Sequence, residues 1–265
     1  MLLAIDAGNT QTVIGLYELD DEPPVQGRRP EAGLLDHWRL ATDHDRTTDE
    51  LAVLLEGLLS LGGFHLDDVD GVAVSSGVPR VMASLRDLAD RYLDFDPVVI
   101  APGVRTGIAI LYENPKEVGA DRIANAVAAY DLYGAPTVVV DFGTATTCDA
   151  VSADGEYLGG AIAPGVEISM DALVGRAAAL RAVELREPRN VLGKSTVESI
   201  QSGAVYGYAA QVDGLCDRIE VELGACNVIS TGGLADLISP LSRKIQHVEP
   251  WLTLHGLRLV YEKNA

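Results

Sequence analysis

The sequence predicts a duplicated α/β domain, and three observations predict it. An apolar strand followed by Asp-x-Gly and a polar turn occurs at Asp6-Ala7-Gly8-Asn9. The same unit recurs at Asp141-Phe142-Gly143-Thr144, 135 residues on in a chain of 265. Between and after the two units, helical segments alternate with short apolar strands. Two halves that open alike and continue in this way suggest two packed α/β layers.

Residues 2–5 and 13–17 are apolar, and Asp6 to Thr12 lies between them, so two strands joined by a turn are expected. Residues 20–36 carry three prolines and many charges and read as an exposed loop. Thr47 with Glu50 three positions later is a capping-box pattern, which predicts a helix over 48–61. A strand over 71–76, a helix from Pro79 to Tyr92 and a strand over 97–100 follow. In the second half, strands are expected over 137–140, 148–151 and 157–162, a helix over 121–130 and another from Gly165 to Leu180.

Composition excludes several classes of function. Lys and Arg number 20 against 39 Asp and Glu, a formal charge of −19. A chain so acidic lacks the basic face that nucleic acid requires and is repelled by anionic membranes. Hydrophobic residues make up 48% and charged residues 22%, the balance of a globular protein. The three cysteines, Cys148, Cys216 and Cys226, form no CxxC pair, so neither a disulfide framework nor a zinc site is expected. Met1 to Asp6 lacks the basic start of a signal peptide, and no apolar run reaches the ~18 residues that span a bilayer. The expected setting is the cytoplasm, with no nucleic-acid or membrane partner.

Asp-x-Gly-Asn-Thr after a buried strand offers a tight turn, successive N–H groups that cradle an anion, and the hydroxyls of Thr10 and Thr12. Asp6 repels phosphate directly and acts there only through a cation or water. The plainer alternative is an Asx-turn hairpin with no ligand. Neither loop contains Lys or Arg, and GxxxxGK(S/T) is absent, which excludes a P-loop nucleotide site. Thr231-Gly232-Gly233 after a late apolar run permits a base or ribose to lie on the backbone, or is a simple tight turn. Asn114-Pro115 breaks regular structure, Gly119 frees the backbone, and Asp121 opens a helix. Taken alone, Asp121 is a helix-start acid and Arg122 a surface ion pair.

Two such loops from two halves resemble the acetate and sugar kinase/actin-like ATPase superfamily. The whole set is similar to the type III pantothenate kinase family, over essentially the full chain. Asp6 to Thr10 resembles that family's first phosphate motif and Asp141 to Thr147 its second. Tyr112-Glu113-Asn114-Pro115 with Gly119-Ala120-Asp121-Arg122 resembles its pantothenate segment. Gly159 to Gly165, Thr196, Thr231 to Gly233 and Leu252-Thr253-Leu254 fall in the family's order. Two departures are the acidic insertion at 20–36 and His255, where an acid is expected.

The resemblance implies a duplicated ribonuclease-H-like fold, divided into 1–117 and 118–265, that phosphorylates (R)-pantothenate with ATP. It implies Asp121 as general base, and a pantothenate site of Tyr112, Gly119, Ala120, Asp121, Arg122 and Thr196. It implies ATP contacts from Asp6, Ala7, Gly8, Asn9, Thr10, Gln11, Thr12, Val13, Thr144, Gly232 and Gly233. Asp141 is expected to hold a monovalent cation, K⁺ or NH₄⁺, besides the Mg²⁺ that accompanies ATP. A homodimer is implied, with an apolar patch expected on helices near 121–130 and 197–215. Thr196 reads equally as a helix start, since Ser195 and Glu198 can form a capping box. The rival function is a non-catalytic regulator on the same scaffold, like the Bvg accessory factors. A chaperone-like or cytoskeletal ATPase fits less well, because it has no use for the pantothenate segment.

Overall fold

The computed structural model describes residues 1–19, 26–93, 95–177 and 180–265. The chain forms two compact units, one of Met1–Leu132 with Trp251–Ala265 and one of Tyr133–Pro250. These do not coincide with halves drawn at 117/118, because the helix after residue 118 and the C-terminal helix both pack with the first unit.

In the first unit, β1 (Leu2–Ala7) pairs antiparallel with β2 (Gln11–Tyr17), and β2 antiparallel with β3 (Leu34–Ala41). After α1 (Thr48–Leu61), β4 (Gly71–Ser76) runs parallel to β1. After α2 (Pro79–Tyr92), β5 (Val98–Val99) runs parallel to β4. The sheet order is β3-β2-β1-β4-β5. The short β6 (Ala109–Ile110) and α3 (Ala120–Tyr133) follow. Alternate residues of β1 and β2, Leu3, Ile5, Ile14 and Leu16, meet Leu55 and Leu59 of α1 and Leu85 and Leu88 of α2 in one core. β1 is apolar on both faces, as expected of a strand covered on both sides.

The second unit repeats the plan. β7 (Thr137–Phe142), β8 (Ala145–Val151) and β9 (Glu156–Pro164) form an antiparallel meander. Past α4 (Val166–Arg176) and α5 (Thr196–Leu223), β10 (Asn227–Thr231) returns parallel to β7. Past α6 (Ala235–Ile238), β11 (His247–Val248) lies parallel to β10. The order β9-β8-β7-β10-β11 matches the first sheet in sequence and polarity. Val138, Val140 and Phe142 pack here with Ala204, Ala209, Val212 and Cys216 of α5. All three cysteines are free and buried. Burial pushes the Cys148 and Cys216 thiols up to about 12, so they pack as inert groups.

The C-terminal α7 (Leu252–Glu262) belongs to the first unit and packs against β1, β2 and β4. Two glycines admit it. A Cβ on Gly15 would lie 2.8 Å from Leu254 Cδ1, and one on Gly71 would meet the Tyr261 hydroxyl at 2.0 Å.

Three expectations need correction. The stretch 20–36 is not loop throughout, since β3 begins at Leu34 and continues the meander; residues 20–25 lie outside the described residues. The helix expected to reach Leu180 ends at Arg176, and residues 178 and 179 also lie outside them. Helix 121–130 offers no free apolar patch, because residues from Arg122 to Ala129 are all buried. His255 proves to be fully buried, its Nε2 3.4 Å from Asp131 Oδ2 and its Nδ1 accepting from Arg258 Nη2 at 3.0 Å.

Candidate active site

The first loop, Gly8-Asn9-Thr10, links β1 to β2 and is closed by the Gly8 N–H donating to Gln11 O at 3.0 Å. Asn9, Thr10 and Gln11 are exposed, Gly8, Thr12 and Val13 are half-buried, and Ala7 is buried, so Ala7 offers a ligand only its backbone. Asp6, half-buried at the end of β1, accepts a hydrogen bond from Ser75 Oγ of the neighbouring β4. The segment after β3 props the loop from the side. Thr42 N–H donates to Thr10 O at 2.9 Å, Thr42 and Thr12 hydroxyls meet at 2.8 Å, and His44 Nε2 lies 3.1 Å from Asn9 O. Arg39 donates to Gln11 Oε1 at 2.7 Å, bringing a cation to a loop with none of its own.

The Asn114-Pro115 segment forms a single 3₁₀ turn over Pro115–Glu117, capped by Asn114 Oδ1 accepting from Lys116 N. Tyr112, half-buried, precedes it. At the start of α3, Ile123 N–H bonds back to Gly119 O, and Arg122 N–H donates to Asp121 Oδ1 at 2.8 Å. A Cβ on Gly119 would fall 2.4 Å from Asp121 Oδ1, so the missing side chain is what leaves room for that carboxylate. Ala120 is half-buried and Asp121 exposed, whereas Arg122 is only 8% exposed. Arg122 is therefore not the surface ion pair of the plainer reading.

In the second unit, Asp141 sits half-buried near the end of β7, opposite Thr231 of β10. The turn at Gly143 and Thr144 is closed by Gly143 N–H to Ala145 O at 3.1 Å, and Thr144 O accepts from Gly165 N–H at 3.2 Å. Gly232 has φ of 94°, a conformation open to glycine. A Cβ there would lie 2.5 Å from Asp141 Oδ1, and one on Gly143 would lie 3.3 Å from it. Two glycines therefore wall the carboxylate with backbone. Gly233, exposed, leads towards α6.

Thr196 is the first residue of α5, with Ser195 as its N-cap accepting from Glu198 N at 3.2 Å. The helix-start reading thus holds. Thr196 also borders an open groove between α4 and α5, whose walls include Met170, Leu173, Ser199 and Tyr208.

A sequence profile of the family described as type III pantothenate kinase matches residues 2–218. A type III pantothenate kinase of Streptomyces coelicolor is 54% identical over 274 positions, covering 100% of this chain and 99% of that protein. One of Frankia alni is 53% identical over 266 positions and covered in full. The chain belongs to the type III pantothenate kinase family.

Solved structures agree on the fold. A Baf family protein from Campylobacter jejuni superposes with a TM-score of 0.60 at 17% identity, over 99% of this chain and 98% of that one. The ethanolamine utilization protein EutJ from Carboxydothermus hydrogenoformans gives 0.55 at 13%, over 97% and 89%. At such identities the likeness is one of fold, and the fold is the duplicated ribonuclease-H-like, actin-like ATPase arrangement.

Within the first unit the structure holds the loop that follows Asp6 and the Asp121 segment of this pantothenate kinase family member. Within the second it gathers Asp141, Thr144, Gly232 and Gly233, with Thr196 on a separate groove. Sequence reasoning missed Ser75, which holds Asp6, and the Thr42–His44 prop. Ser75 sits in an apolar strand ending in small residues, and only the parallel pairing of β4 with β1 puts it beside Asp6.

Proposed function

We propose that the chain transfers the γ-phosphoryl group of ATP to the primary hydroxyl of (R)-pantothenate. The products are ADP and 4′-phosphopantothenate, in the first step of coenzyme A biosynthesis. The observation that carries this reading is the full-length identity of 54% with a type III pantothenate kinase. The sequence also carries Asp6, Asp121 and Asp141, an intact set of carboxylates that disfavours a non-catalytic regulator.

In this mechanism the loop from Asp6 to Val13 and the turn at Thr144 receive the ATP phosphates through backbone N–H groups and hydroxyls. Gly232 and Gly233 allow the nucleoside to lie on bare backbone. Tyr112, Gly119, Ala120, Arg122 and Thr196 receive pantothenate, with Arg122 pairing its carboxylate. Asp121 orients the hydroxyl and takes its proton as oxygen attacks the γ-phosphorus and the bond to the β-phosphate oxygen breaks.

The oxygen donors suit hard cations. Asp141, walled by Gly143 and Gly232, would hold K⁺ or NH₄⁺, and Asp6 would meet Mg²⁺ on the ATP phosphates. Such cations offset phosphate charge where the loops lack basic residues. We further assign the protein to the cytoplasm as a homodimer. Ile162, Ile168, Leu173, Val191, Leu192 and Val197 are exposed apolar residues of the second unit, which supports a dimer surface on that unit. No helix among the described residues is long and apolar enough to cross a membrane.

The test is ADP release by the purified protein with and without pantothenate. Release that depends on pantothenate is expected. Release that ignores it would support a simple ATPase instead, and none under either condition would support the regulator.

A further inference from the structure

The C-terminal helix carries no residue assigned to substrate, yet one of its faces lies against the helix that bears Asp121. Thr253 Oγ1 donates to Asn125 Oδ1 at 2.7 Å, and Asn125 is 1% exposed. Asn125 is four residues after Asp121, one turn along the same face of α3. Gly256, three residues after Thr253 and on its face of α7, lies against the α3 backbone. A Cβ there would fall 2.0 Å from Ala124 O and 2.5 Å from Ala124 C. Glycine inside a helix costs about 1 kcal/mol relative to alanine, and here it permits a contact that no side chain allows. His255 adds a tie to Asp131 at the far end of α3.

The neighbouring surface of α7 rests on the sheet that carries the phosphate loop. Leu254 fills the space above Gly15 of β2, and Tyr261 the space above Gly71, whose strand pairs with β1. Asp6 ends β1. One helix therefore joins the strand bearing Asp6 to the first turns of the helix bearing Asp121. Phosphoryl transfer depends on the distance between donor and acceptor, and a displacement near 1 Å costs about 10²-fold in rate.

We infer that α7 is a positioning element for the reaction, and that Thr253, through Asn125, sets the placement of Asp121. This rests on Asp121 being the general base. Thr253 touches neither substrate in this account. Its loss should therefore appear in kcat, with KM for pantothenate and ATP nearly unchanged.

The experiment is a double-mutant cycle of Thr253→Val and Asp121→Asn, with Thr253→Ser as the conservative control. Thermal melting confirms that each variant is folded. Thr253→Val is expected to lower kcat about 10-fold in the native background, a partial displacement, and less than about 2-fold in the Asp121→Asn background. Thr253→Ser, which keeps the donor, should restore most of the rate. An equal loss in both backgrounds would overturn the inference while leaving the base assignment intact, as would a native kcat in Thr253→Val. A fall in melting temperature with both KM values raised would make α7 a structural brace only. A near-native kcat in Asp121→Asn would remove the base assignment itself, and this inference with it.

Discussion

Asp121 is exposed at a helix start, with one carboxylate oxygen fixed by the Arg122 N–H and its space guaranteed by Gly119. Asn has the same shape but takes up no proton. Asp121→Asn is expected to lower kcat by about 10²-fold or more, the usual cost of removing a general base. Pantothenate affinity, read by calorimetry with a non-hydrolysable ATP analogue, should change far less. Near-native kcat would return Asp121 to a helix-start acid, and loss of binding would make it a recognition residue. Asp141 differs, because two glycines press backbone against it and desolvation raises the cost of its charge. Activity should rise steeply from Na⁺ to K⁺ or NH₄⁺ at matched ionic strength, and Asp141→Asn should abolish most of that response. Equal rates in all three salts would refute the cation role. Both candidate aspartates were legible as pattern residues, each two positions from a glycine. Ser75 and Thr42 were not, because only strand pairing brings them to Asp6 and Thr12.

Elements whose ends are written in local chemistry were legible. The Thr47–Glu50 capping box forms as read, with Thr47 N–H donating to Glu50 Oε2 at 2.9 Å, and such caps contribute about 1 kcal/mol. The strand β3 was not legible from Leu34, since proline and charge nearby masked a half-exposed edge strand. The turn after α6 shows how a long-range contact fixes an element. Asp213 of α5 accepts from Ser242 Oγ at 2.6 Å, from Arg243 N–H at 2.9 Å and from Arg243 Nε at 2.9 Å. Burial pushes its carboxyl up, but these hydrogen bonds outweigh that and hold it below the ordinary carboxylate range. A depressed pKa contributes stability that is fully present above the unfolded value of about 3.9 and is lost as pH falls through the folded value. Asp213→Asn should therefore be less stable than the native chain at pH 7, by urea unfolding, and the gap should narrow below about pH 4. A gap independent of pH would mean that shape, not charge, matters at that turn.

At the scale of the whole molecule, two sheets that share one order over five strands and a charge of −19 constrain how the protein assembles. The duplication was legible because each sheet opens with its own Asp-x-Gly turn. The unit boundary was not, since α7 returns to the first unit through contacts over a hundred residues away in sequence, such as Thr253 with Asn125. So acidic a chain repels its copies, and association must rest on a specific apolar surface. Residues 122–129 of the helix at 121–130 are buried and unavailable. Leu192 is 81% exposed, and Val191 and Ile162 are 64% exposed, all in the second unit, where apolar side chains in water favour burial against a copy. Light scattering at micromolar concentration should give about twice the chain mass of 28.1 kDa. Leu192→Asp adds charge to the patch and should shift the mass towards a single chain. Salt separates this apolar contact from an ionic one. Screening weakens like-charge repulsion between copies, so raising ionic strength should strengthen the dimer, whereas an interface held by ion pairs would weaken. A single-chain mass at every salt concentration, with full activity, would remove the dimer from the account of this enzyme.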